Sequence, residues 1–132
     1  MGPAEARHVS VFIDRPVTDV YRFASDVGNM AKWATGLGGS IDKVDGEWIA
    51  SGPIGRVKVR MAKPNAFGVL DHDVVLESGT TVKNPVRVLE SGSGSLVVFT
   101  LFRQPGVSDD AFEADVKWVE KDLNILKKLL EK

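Results

Sequence analysis

The 132-residue chain carries 17 Lys and Arg against 18 Asp and Glu, a net charge of −1, with 43% apolar and 27% charged residues and no cysteine. These values predict one globular domain over residues 1–132, able to bury a core without a metal or a disulfide staple. They exclude a disulfide scaffold, a thiolate metal centre, a cysteine nucleophile and the polycationic surface that nucleic-acid binding needs.

The opening Met-Gly-Pro-Ala-Glu-Ala-Arg lacks the basic-then-apolar order of a signal peptide, and no apolar run approaches the ~18 residues of a membrane span. A soluble, cytoplasmic protein is expected, with residues 1–7 disordered. His8 to Asp14 alternates Val9, Val11 and Ile13 with polar or mixed neighbours and reads as a strand that Arg15-Pro16 ends. Pro16 suits the start of a helix, which Val17, Val20, Tyr21 and Ala24 continue and Gly28 closes. A second short helix over residues 29–35 carries Met30, Trp33 and Ala34 on one side. From residue 40 the pattern is β: strands at 40–44, 47–51, 55–63, 67–77, 80–89 and 95–103, separated by gaps too short for parallel crossovers. Trp48-Ile49-Ala50 is short and apolar enough for an edge that pairs with a second copy. The last segment, residues 108–132, reads as one long helix with Ser108 as N-cap, Asp109 and Asp110 in its first turn, and Lys127, Lys128 and Lys132 near its end.

Register follows from sorting apolar and charged residues onto opposite faces. Arg60 opposite Asp71 and Lys58 opposite Asp73 leave Met61–Leu70, Val59–His72 and Val57–Val74 on the other surface. The next hairpin gives Leu76–Val82, Val74–Asn84, His72–Val86 and Leu70–Val88, with Asp71 beside Arg87 outside. His72 and Asn84 are then the polar exceptions on an apolar inner face, one step out of line at about 7–8 Å. In the last hairpin either Val97, Phe99 and Leu101 or Val98, Thr100 and Phe102 point inward. The basic stripe Arg56, Lys58, Arg60 faces acidic strands and reads as a solvated convex surface.

His72 is the one acid/base candidate: a general base or hydrogen-bond partner for a guest, or an interior imidazole satisfied by Asn84 or a backbone group. Its apolar neighbours predict a buried, neutral ring with a depressed pKa. Trp33 either lines a pocket mouth or seats its helix on the sheet. In the C-terminal helix, Phe112, Val116, Val119, Leu123, Leu126 and Leu130 form a stripe that covers the sheet. Ala111, Asp115, Trp118, Asp122, Ile125 and Leu129 form a mixed stripe beside it, with Trp118 at the boundary between core and surface. No nucleophile elbow, P-loop, dinucleotide fingerprint or HExxH is present, and two distant histidines without cysteine make a transition-metal site improbable. No cofactor is expected.

The element order, the run VSVFIDRPVTDVYRFASDVGNMAKW with its Arg15-Pro16-Val17 entry, Asp26 and Trp33, and the later FGVLDHDV and NPVRVLESGSGSLVVFTLF, resemble the SRPBCC superfamily of START-like, polyketide cyclase/dehydrase-type proteins. The resemblance implies an α+β helix-grip fold: a curved seven-stranded antiparallel sheet around the long C-terminal helix, two short helices after the first strand, and a ligand cavity between sheet and helix. The expected function is binding of a small hydrophobic or amphipathic molecule, lipid-like or aromatic. Trp33, Val59, Met61, Leu70, His72, Val74, Asn84, Val86, Phe99 and Trp118 are the candidate ligand-binding residues. The alternatives are a cyclase/dehydratase-type enzyme using His72, or a protein-interaction module. Either a monomer or a homodimer is compatible with the sequence.

Overall fold

The computed structural model describes residues 2–132; Met1 lies outside the described residues. Strand β1 (Ala6–Ile13) begins two residues before the predicted start, so Ala6 and Arg7 of the segment expected to be disordered belong to the fold. Its first residues are held against β8 (Gly94–Phe102), where Ala6 faces Phe102 and Arg7 faces Leu101. Helix α1 (Val17–Ala24) follows, with Pro16 in extended conformation at its N-cap. The predicted second helix is a 3-10 segment, Val27–Lys32, whose cap Asp26 accepts a hydrogen bond from the Gly28 N–H at 3.0 Å. A short 3-10 turn, Thr35–Leu37, comes next.

The remaining strands are β2 (Ile41–Val44), β3 (Glu47–Gly52), β4 (Gly55–Met61), β5 (His72–Val75), β6 (Thr81–Asn84) and β7 (Val86–Ser91). They make two antiparallel sheets with β8 and β1, in the orders β1-β8-β7 and β2-β3-β4-β5-β6. The expected seven strands become eight because Pro85 divides the 80–89 segment. Proline has no N–H to offer a ladder, so β6 stays with β5 while β7 turns to β8. The two sheets remain joined through a bridge between Val69 and Arg87. Trp48–Ala50 is not an edge, since β3 lies between β2 and β4.

The predicted 67–77 strand also divides. Asn65 pins the approach: its Oδ1 accepts from the N–H groups of Phe67 and Val69, and its Nδ2 donates to the Lys63 and Val69 carbonyls. The β4–β5 connection therefore takes up residues 62–71, and the pairing slides by two from the expected alignment. Val59 faces Val74, Met61 faces His72, and His72 faces Asn84. A two-residue slide keeps every side chain on its face, because strand side chains alternate with period two. The inner and outer faces thus stand as expected although the individual partners change. In the last hairpin Val97 and Phe99 are buried, which selects the first of the two expected registers.

Outside, Asp71 accepts two 2.9 Å bonds from Arg87, Lys83 pairs with Asp73 and Arg60 with Glu47, so of the basic stripe Arg60 is spent on a neighbouring carboxylate. Helix α2 (Asp109–Leu130) crosses the inner face against β1 and β8, with Phe112, Val116, Leu123, Leu126 and Leu130 buried. The Ser108 hydroxyl accepts from Ala111 N–H at its start. At its end Arg15 donates to the Leu130 carbonyl and Lys127 to that of Phe12, tying the helix to the end of β1. Among the described residues no helix is long and apolar enough to cross a membrane.

Candidate functional site

Two helical elements divide the inner face. Helix α1 packs toward β7, and its Tyr21 hydroxyl accepts a hydrogen bond from Asn65 N–H at 2.9 Å. Helix α2 covers β1 and β8. Between α2 and strands β5 and β6 the cover is incomplete and leaves a cavity of about 140 Å³. Its floor is His72 and Val74 of β5, Asn84 of β6 and Phe99 of β8. Met30, Trp33 and Leu37 close one side, and Val119, Asp122 and Leu123 of α2 form the roof. Ile54, half exposed in the β3–β4 turn, marks the side that meets solvent.

Five expected binding residues therefore meet at the cavity: Trp33, His72, Val74, Asn84 and Phe99. Val59, Leu70 and Val86 are instead fully buried, and Met61 is partly buried against the same core, none of them on the cavity wall. Leu70 has left the β5 ladder to pair with Val86 on the side that α1 covers, so the expected continuous apolar floor is only half available. Trp118 is 41% exposed and does not line the cavity. Its indole N–H donates to the Thr35 hydroxyl, which in turn donates to Asp122 Oδ1 at 2.7 Å. Trp118 thus fastens the 35–37 turn to α2 at the rim. His8 lies apart, bonded to Thr100 at 3.0 Å.

The rim depends on two glycines. A Cβ on Gly38 would stand 2.6 Å from the Ser51 carbonyl oxygen, and one on Gly52 would stand 2.5 Å from the Gly38 nitrogen. Only residues without side chains let the 35–38 turn and the β3–β4 turn approach this closely.

His72 is 6% exposed. Burial pushes its imidazole pKa below the ordinary value, against smaller opposing effects from the Leu70 carbonyl and the nearby Asp71 and Asp73 charges. Nδ1 stands 3.1 Å from the Leu70 carbonyl, Nε2 stands 3.5 Å from Asn84 Nδ2, and the ring meets Phe99 edge-on at 6.2 Å. Opposite, burial pushes the Asp122 carboxyl up, partly offset by the two hydrogen bonds it accepts from Thr35. Trp33 Nε1–H is buried without an acceptor, a state that costs about 1–3 kcal/mol. Among the described residues no three His, Cys, Asp or Glu side chains converge as a metal set would.

Asp122 and Thr35 escaped the sequence reading as site residues. Asp122 belongs to the mixed stripe, one position before Leu123 of the buried stripe, and that adjacency was its only signal. Nothing local marked Thr35, whose partner is 87 residues away.

Among solved structures the fold has many relatives at low sequence identity. XoxI from Bacillus cereus superposes with a TM-score of 0.75 at 16% identity, covering 95% of this chain and 94% of that one. The Aha1 dimer from Colwellia psychrerythraea gives 0.72 at 16%, covering 96% of both chains. DynU16, described as a putative protein in the dynemicin biosynthetic locus, gives 0.72 at 15% and covers 98% of this chain but 48% of its own. No curated protein sequence matches this one. The family model described as "Polyketide cyclase / dehydrase and lipid transport" matches residues 7–131, and with the helix-grip architecture around the cavity it places this chain in that family.

Proposed function

We propose that this protein binds a small hydrophobic or amphipathic molecule in the cavity between the sheet and α2. The carrying observation is the wall itself: mostly apolar side chains from six elements around the buried imidazole of His72, whose Nε2 has only a 3.5 Å contact from Asn84. The family description, which includes lipid transport, supports the same reading. Native mass spectrometry of protein purified from its own host tests it, together with melting temperatures across a panel of small aromatic and lipid-like compounds. A retained small molecule or a saturable rise in melting temperature is expected. No retained mass and no shift across the panel would overturn the reading.

A second reading, proton transfer of the cyclase or dehydratase kind, is favoured by one observation. His72 and Asp122 stand on opposite walls of one cavity, burial lowering the imidazole pKa and raising that of the carboxyl, so a neutral base and a more readily protonated acid face one guest. It expects a His72→Ala variant that binds its substrate without turning it over; full turnover by that variant would exclude it. The balanced surface charge suits a cytoplasmic protein without a nucleic-acid partner. Light scattering after size exclusion separates monomer from homodimer.

A further inference from the structure

Granted that the cavity binds a small molecule, a reading on which its selectivity rests, the hydrogen-bonding roles of its walls specify more than their apolar character does. A carbonyl oxygen only accepts, so the contact between His72 Nδ1 and the Leu70 carbonyl places the imidazole proton on Nδ1. A neutral imidazole carries one N–H, which leaves Nε2 as an acceptor. Among the described residues its one donor is Asn84 Nδ2, at 3.5 Å, the outer limit of a hydrogen bond. The cavity therefore offers His72 Nε2 as an acceptor that a guest donor fills better than Asn84 does, and a hydroxyl group supplies such a donor.

Charge and size narrow the class. No Lys or Arg lines the cavity, and its one ionisable side chain besides His72 is Asp122, so a carboxylate or phosphate guest would enter against a carboxyl group with no cation to receive it. The volume of about 140 Å³ compares with the roughly 150 Å³ of an apolar cavity known to admit benzene, and falls short of the ~300 Å³ at which drug-sized pockets begin.

We propose that the cavity selects an uncharged, single-ring compound bearing a hydroxyl group, a phenol or a cyclic alcohol, over both its purely apolar and its anionic counterparts. The hydroxyl donates to His72 Nε2, and the ring lies against Val74, Phe99 and Leu123. A wholly apolar cavity rejects phenol relative to toluene, because the hydroxyl is buried without a partner. Here the order reverses.

The test is isothermal titration at pH 7.5 with phenol, toluene and benzoate, on the unmodified chain and on His72→Leu and Asn84→Leu. Phenol is expected to bind about three- to tenfold more tightly than toluene, the range of one net hydrogen bond, and benzoate to bind weakest. His72→Leu is expected to restore the apolar order, toluene before phenol. Asn84→Leu changes a half-buried side chain of the floor, removes the competing donor and is expected to raise the preference for phenol over toluene. Toluene equal to or tighter than phenol on the unmodified protein, or benzoate tightest, refutes the selectivity while the binding cavity stands. If no ring compound binds at millimolar concentration, the selectivity is refuted, while native mass spectrometry and the melting-temperature panel decide separately whether the cavity binds a guest.

Discussion

Acidification tests the burial of His72 directly. An unfolded imidazole has the ordinary pKa of 6.5 and takes up its proton between pH 7.5 and 5, whereas burial lowers the folded value. The unfolded state then binds more protons across that interval, so stability falls with falling pH. The contribution is fully present above pH 6.5 and is lost as pH falls toward the folded pKa. Each unit of separation is worth about 1.4 kcal/mol, and the loss between pH 7.5 and 5 is bounded at about 2 kcal/mol, reached if the folded ring stays neutral throughout. Asp122, whose carboxyl burial pushes up, acts in the opposite sense, since its folded state gains protons first and is favoured as pH falls. Asp71 is held below the usual carboxylate range by its Arg87 bonds and loses stability only in stronger acid. These two contributions are shared by a His72→Leu variant, so the difference between the two proteins isolates the imidazole. Urea titrations at pH 7.5, 6.5, 5.5 and 5.0 are expected to converge as pH falls, the variant lacking the acid-induced loss. Parallel pH dependences would refute the reasoning, and so would an NMR titration of the unmodified protein placing His72 at or above 6.5.

Three stability changes are expected from single contacts. Gly68→Ala forces a side chain onto a residue with φ of +72° and drives its Cβ into the Val88 carbonyl oxygen; a loss of at least about 2 kcal/mol is expected by urea denaturation, against little change if this turn is permissive. Ser108→Ala removes the cap of α2 and is expected to cost about 1 kcal/mol, with Ser108→Asn close to the unmodified protein. Leu123→Ala, at a position 1% exposed on the cavity roof, is expected to cost about 2–5 kcal/mol in denaturation, part of it regained with saturating toluene, whereas a loss that no guest relieves would place Leu123 away from the binding volume.

The sequence by itself determined what depends on local periodicity and end chemistry. Alternation of apolar and charged residues set the two faces of the strands between residues 55 and 89, though not those of the last strand, and these faces survived a two-residue slide because they depend on parity alone. Ser108, Asp109, Asp110 and the buried stripe to Leu130 fixed α2 in the same way, through a cap, a dipole and a 3.6-residue repeat. Half of the ten expected binding residues, Trp33, His72, Val74, Asn84 and Phe99, reach the cavity, among thirteen that line it. Tertiary structure decided which inward residues meet open space. Leu70, Val59 and Val86 are as apolar and as inward as Val74, but the chain packs over them, while the gap between α2 and β5–β6 spares the others. No local pattern records where a cover ends. The Trp118–Thr35–Asp122 connection lay beyond the sequence for a related reason: hydrogen bonds spanning more than 80 residues have no period, and they exist only once α2 is laid across the sheet.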